Sequence, residues 1–192
     1  EKQSGNINTI GYDLYIEMLN EAISEINGQE IPEVNDAQID LPINAFIPAT
    51  WISNREEKLE AYKAATDCSN SSDLIELSSD WSNRYGIIPK PVETLIKVME
   101  LKLLSRECGF YRIKLNKPNI VINTKMKDSA FKIIRSSLPS SIQNKFQYQK
   151  SENEATIVVR GLGVTDTQNQ LDQLVHWFKI MVNEIKNIKN SK

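Results

Sequence analysis

The chain has 192 residues, 40% of them hydrophobic and 25% charged, with a formal net charge of −2. That composition suits a globular domain with one good core, and the lack of a basic surplus argues against an autonomous nucleic-acid binder. Cys68 and Cys108, with no signal peptide ahead of them, read as free thiols of the cytoplasm, and no apolar run approaches the ~20 residues of a membrane span.

The first residue is Glu1 rather than Met, which reads as a piece cut from a longer protein. From Thr9 to Asn27, the residues Leu14, Tyr15, Met18, Leu19, Ala22, Ile23 and Ile26 recur at helical spacing, and Gly28 can close that helix. The polar, acidic stretch that follows reads as a linker, so residues 1–37 stand apart from a domain spanning 38–192. One edge strand is expected within DLPINAFIPATWI (40–52), where Pro42 and Pro48 bar a central position. Ser53 and Glu56 match a capping box that opens a helix with Leu59, Tyr62 and Ala65 inward. The Ser69–Ser72 cluster breaks it and starts another, with Leu74, Leu77, Trp81 and Tyr85 on one stripe and Gly86 at its end. Pro89 suits an extended elbow and Pro91 a first helical turn. From Val92 to Cys108 nearly every face is apolar (Leu95, Ile96, Met99, Leu101, Leu103, Leu104), as expected of a buried central helix stopped by Gly109.

The period then changes to two. Tyr111, Ile113 and Leu115 alternate with Arg112 and Lys114, the chain turns at Lys117–Pro118–Asn119, and Ile120–Ile122 returns it. A helix carrying Ala130, Phe131, Ile134 and Leu138 ends before Pro139. Phe146 and Tyr148 begin a second hairpin, which turns at Ser151–Glu154 and closes on Ala155–Val159. Thr167 and Gln170 match a second capping box, ahead of a last helix aligning Leu171, Leu174, Val175, Phe178, Val182 and Ile185. The class is α+β: a helical N-terminal half, then hairpins alternating with helices, with a small mixed or antiparallel sheet packed on helices.

Catalytic chemistry is missing from the pattern. His176 is the lone histidine, on a solvated face with Asp172, Gln173, Lys179 and Asn183, and no cysteine or second histidine stands at metal-ligand spacing. Cys108 ends the most apolar helix, where burial rather than reactivity is expected. Gly161-Leu162-Gly163 lacks the third glycine of a dinucleotide loop and reads as a strand-to-helix turn. The elbow is richer. On a helix over 73–85, Glu76, Asp80 and Asn83 fall on one line beside the Trp81–Tyr85 corner. Asp80 lies toward the unfavourable end of the macrodipole, so helix stability does not account for it, whereas docking against arginines would. A solvated polar face is the plain alternative. Lys125, Lys127, Lys132 and Arg135, placed on the helix after the first hairpin, offer a second one: an accessory nucleic-acid contact. Lys186, Lys189 and Lys192 suit the last helix's C-terminal dipole, and no feature promotes a small-molecule site.

Several stretches together resemble one family. EKQSGNINTIGYDLY (1–15) is similar to the end of the translocation motif of bacterial transcription-repair coupling factors, and residues 40–52 are similar to the start of that family's C-terminal domain. Lys58-Leu59-Glu60-Ala61-Tyr62-Lys63 echoes the family's R-L-x-x-Y-K, and DWSNRYGIIP (80–89) stands where the family has E-L-x-D-R-F-G-x-x-P. The likeness covers residues 1 to about 110, and beyond that rests on element order. It implies the tail of a helicase translocation module (1–37) and a C-terminal regulatory domain (38–192) of a RecG-like superfamily 2 DNA translocase. Such a protein displaces stalled RNA polymerase at lesions and recruits nucleotide-excision repair in the cytoplasm. ATP and Mg²⁺ would belong to the motor, and no cofactor to this fragment. The resemblance further implies that the domain docks on an N-terminal excinuclease-B-like module, covers the surface that binds the excinuclease A protein and restrains the motor. Gln3 matches the coupling glutamine of the translocation motif. Asp80 and Asn83 match the two acidic positions of the docked arrangement, with Glu76 and Arg84 beside them and Trp81, Tyr85, Gly86 and Pro89 as the elbow. Asn83 departs from the pattern by bringing no charge. Charge-assisted hydrogen bonds are roughly twice as strong as neutral ones, so the clamp is expected to be weaker or rebuilt, with Glu76 one turn earlier able to compensate.

Overall fold

One apolar helix serves two cores in the computed structural model, which describes residues 30–190. The helix expected over Thr9–Asn27, Gln3 and Lys192 lie outside the described residues. The elements in chain order are β1 (Gln38–Asp40), α1 (Arg55–Asp67), α2 (Ser71–Tyr85), α3 (Lys90–Glu107), β2 (Phe110–Asn116), β3 (Asn119–Thr124), α4 (Asp128–Ser136), α5 (Ser140–Gln143), β4 (Phe146–Lys150), β5 (Ala155–Val159), a 3-10 turn (Leu162–Val164) and α6 (Thr167–Asn190). The strands form one sheet in the order β1-β2-β3-β5-β4, antiparallel except for the β1–β2 pair. The fold is α+β, as the change of period at Gly109 implies.

The larger core lies between the sheet and α3, α4 and α6, where Ile113, Ile122, Phe131, Ile157 and Phe178 are fully buried. Phe110 and Phe178 meet ring to ring at 5.1 Å. The smaller core joins α1, α2 and the first turns of α3 through Ala61, Ala65, Trp81, Val92 and Leu95, with Ile47 and Ile52 from the preceding loop. Along the seam between α3 and α6, charged pairs flank the apolar contact: Lys97–Asp172 at 2.5 Å, Glu100–Lys179 at 2.6 Å and Glu107–Lys186 at 3.6 Å. Asp172 is therefore a partner of α3, not a member of a free solvated face around His176.

Several local expectations are corrected. The edge strand is Gln38–Asp40, so residues 41–52 contribute no strand. The prolines there make turns instead, the Pro48 carbonyl accepting from the Trp51 and Ile52 amides. Asn54, not Ser53, caps α1, its Oδ1 accepting from the Glu56 and Glu57 amides at 2.9 and 3.0 Å. Asp166 likewise takes the role expected of Thr167, accepting from the Asn169 amide at 2.9 Å. Gln170 turns inward instead, donating to the Thr165 carbonyl at 2.8 Å. Leu59 points outward at 60% exposure, and Ala61 and Ala65 face the core; small side chains let α1 approach closely where a leucine would hold it off. A register shift between Phe110 and Arg112 puts Phe110 in the core and turns Tyr111 aside. Desolvation and a hydrogen bond with Glu154 push the Tyr111 phenol up to about 12.

Phe178→Ala should cost about 3–5 kcal/mol in urea unfolding, while Leu59→Ala should stay within about 0.5 kcal/mol; the reverse ranking would contradict these facings. A second expectation concerns acid. Desolvation pushes the Asp172 carboxyl up, but hydrogen bonds from Lys97 and Gln168 and the charges of Lys97 and Lys90 outweigh it and hold the group below the usual aspartate value. Its contribution is whole above the unfolded pKa of ~3.9 and is lost as pH falls through the lower folded value. Asp172→Asn should therefore melt lower than the parent sequence at pH 7, with the two melting curves converging in strong acid. Melting points that stay equally separated down to pH 2 would refute the pairing.

Candidate functional site

Helix α2 begins where Asn70 Oδ1 accepts from the Asp73 amide at 3.0 Å. Leu74 and Trp81 are buried on its inner stripe, flanked by the half-buried Leu77 and Tyr85. Trp51 comes from the loop before α1 and packs edge-on to Trp81 at 6.0 Å and to Tyr85 at 5.3 Å. The corner is thus fixed by three aromatic rings from two segments. Gly86 ends the helix at φ +83°, ψ −155°, a region closed to side-chain-bearing residues, and its amide still reaches the Ser82 carbonyl at 3.0 Å. Pro89 then caps α3, its carbonyl accepting from Val92 and Glu93. The sequence places Trp81, Tyr85, Gly86 and Pro89 in one elbow, and the structure shows them there.

On the outer side, Glu76, Asp80, Asn83 and Arg84 are all exposed. Arg84 Nη1 lies 3.5 Å from Asp80 Oδ2, with both side chains 55% exposed, and its guanidinium sits 5.1 Å from the Tyr85 ring centre. Asp80 therefore has a local partner, and the expectation that helix stability has no claim on it is corrected: an i,i+4 pair of this kind contributes ~0.3–0.5 kcal/mol. Next to the ridge is a feature that periodicity missed. Ile87 stands 92% exposed on the elbow, and Ile75 is 71% exposed on α2. The only signal for Ile87 was its place between Gly86 and Pro89, where no helical or strand repeat assigns a side chain to a core.

Elsewhere the structure offers little chemistry. No group of three or more His, Cys, Asp or Glu side chains suited to a metal ion occurs among the described residues, and His176 is exposed. Burial pushes the Cys108 thiol far up. Burial and then the charges of Asp73 and Asp67 push Cys68 up as well, so neither thiol is activated. Gly163 lies against the Asn119 backbone, whose carbonyl oxygen is 2.6 Å from where a Cβ would stand; protein fills the space a phosphate would need. The basic set does not form one helix face. Lys125 and Lys127 precede α4, Lys132 pairs with Asp128 at 2.7 Å, and Arg135 donates to the Phe146 carbonyl at 3.3 Å beside the Phe131 ring. No helix among the described residues is long and apolar enough to cross a membrane.

Residues 41–133, which include the whole ridge and elbow, match the family model of the TRCF domain. The transcription-repair-coupling factors of Staphylococcus haemolyticus (strain JCSC1435) and Staphylococcus aureus (strain USA300) are 31% and 32% identical to the chain over 116 residues. Residues 41–133 belong to the TRCF domain family. The aligned stretch is 59% of this chain and 10% of each relative, so the chain spans about a tenth of the length of the curated transcription-repair-coupling factors it matches. A crystal structure of the C-terminal domain of transcription-repair coupling factor shares the fold, with a TM-score of 0.65 at 17% identity, covering 82% of this chain and 99% of that one. That likeness is one of fold, and it reaches past residues 41–133.

Gly86→Val should lower stability by about 1–3 kcal/mol, although no atom lies within 4 Å of a Cβ built there, because the strain is in the backbone alone. Urea unfolding checks this; an undiminished midpoint would mean that the elbow does not need its left-handed turn.

Proposed function

We propose that residues 38–192 are a regulatory docking domain that holds its full-length parent in a restrained state. The observation that carries this reading is the exposed Glu76–Asp80–Asn83 ridge on a corner immobilised by Trp51, Trp81 and Tyr85. A rigid ridge loses little freedom on binding, and its carboxylates suit arginines on the opposing surface. The family supplies the partner proposed for it: the excinuclease-B-like module of the same protein, with the excinuclease A protein competing for the covered surface. The parent is proposed to be an ATP- and Mg²⁺-dependent DNA translocase that acts on stalled RNA polymerase, with Gln3 in its coupling motif and no cofactor in this domain. Exposed ion pairs contribute ~0–1 kcal/mol each. A lock built from a few of them is marginal, which suits a switch that must open when a competing partner arrives.

Asp80→Lys in the full-length protein should raise basal ATP hydrolysis and tighten binding of the excinuclease A protein. Urea unfolding of this domain should move only by the ~0.5 kcal/mol of a lost surface pair. Basal hydrolysis and excinuclease A affinity both equal to those of the unsubstituted protein would rule the docking role out.

A further inference from the structure

Residues 30–37 have no regular structure, yet they are tied down along their length. Ile31 and Pro32 lie against Gly109, so closely that a Cβ there would stand 2.8 Å from Pro32 Cδ. The Val34 carbonyl accepts from Arg106 Nε at 3.4 Å, Asp36 pairs with Lys102 at 3.3 Å, and Asp40 pairs with Arg112 at 2.6 Å. Between these anchors β1 adds three residues to the edge of the sheet. Only Ala37 is buried within residues 31–40, with Ile31 and Ile39 half-buried on the main core.

The attachment is a line, not a face. On one side a cleft of about 270 Å³ is lined by Asp36, Cys68, Lys102 and Arg106. On the other, one of about 380 Å³ is lined by Val34, Tyr111, Lys125 and Glu154. Few apolar contacts and several solvent-exposed polar ones mark a segment whose local opening costs less than global unfolding.

We propose that residues 31–40 are a detachable strap, which peels from β2 and α3 while β2, β3, β5, β4, α3 and α6 stay folded. β1 is an edge strand, so its loss leaves the order β2-β3-β5-β4 unbroken. The geometry also sets the direction of peeling. Residues 1–29 join the strap beside Gly109, and the parallel register runs from Gln38↔Arg112 to Asp40↔Lys114. Tension from upstream therefore meets the anchors at Pro32, Val34 and Asp36 before the β1–β2 bonds, which begin at Gln38. A released strap of ten residues spans ~33 Å, so the domain gains reach relative to the preceding chain without unfolding. Its charged anchors are at the surface and are weakened by salt. The strap does not depend on the docking reading, and either stands without the other.

Amide hydrogen exchange on the full 192-residue chain tests the strap. Amides of residues 37–40 should exchange through an opening distinct from that of Ile120–Ile122 in β3, and faster at about 0.5 M than at about 0.05 M salt. Asp36→Asn with Asp40→Asn should speed strap exchange roughly three- to thirty-fold and leave β3 exchange unchanged. Strap amides that exchange in step with β3 at both salt concentrations would overturn the proposal. So would a double variant that accelerates both regions equally.

Discussion

The burial of α3 on two opposite flanks is the constraint on which the rest depends. Its first turns give Val92 and Leu95 to the small core of α1 and α2, and its later turns give Leu101 and Leu104 to the core over the sheet. A helix with a single apolar stripe would pack on one of these and leave the other without a floor. Because α3 is rigid between them, the elbow before it and the sheet after it are fixed with respect to each other. The ionic seam with α6 adds register rather than depth, since its side chains remain partly exposed.

From that spine the domain presents two surfaces of different character. The α2 corner is held by aromatic rings and by a glycine in a conformation other residues avoid, so its polar ridge and Ile87 are offered in a set geometry. Residues 31–40 are held by charged groups at the edge of the sheet and bury one small side chain. For the proposed regulatory role, a rigid ridge and a weakly held tether are complementary parts. The first would recognise without an ordering cost, and the second would let the domain change its distance from the preceding chain.

Where sequence and structure part, the cause is a tertiary contact or the path of the entering chain. Ser53 and Thr167 fitted the capping-box pattern, but Asn54 and Asp166 stand where the chain enters each helix and take the amides. Leu59 fitted the α1 stripe, yet close approach to α2 and α3 selected the alanines. Strict alternation after Gly109 put Tyr111 inward, and a bulge against the partner strand moved Phe110 there instead. The basic residues of 125–135 fit one face only if a single helix runs through all of them, whereas α4 starts at Asp128.

The sequence by itself determined the class of the fold, the central helix, both hairpins and the position of the elbow. These follow from the spacing of apolar residues and from glycines and prolines, which act within a few residues of themselves. It also carried the family resemblance, through motifs within residues 41–133. Only the tertiary structure decided that Trp51 arrives against Trp81 and Tyr85, that Ile87 is left in water, and that residues 31–40 lie along the sheet's edge. Such facts depend on which distant segment arrives at a surface, and local periodicity holds no record of that.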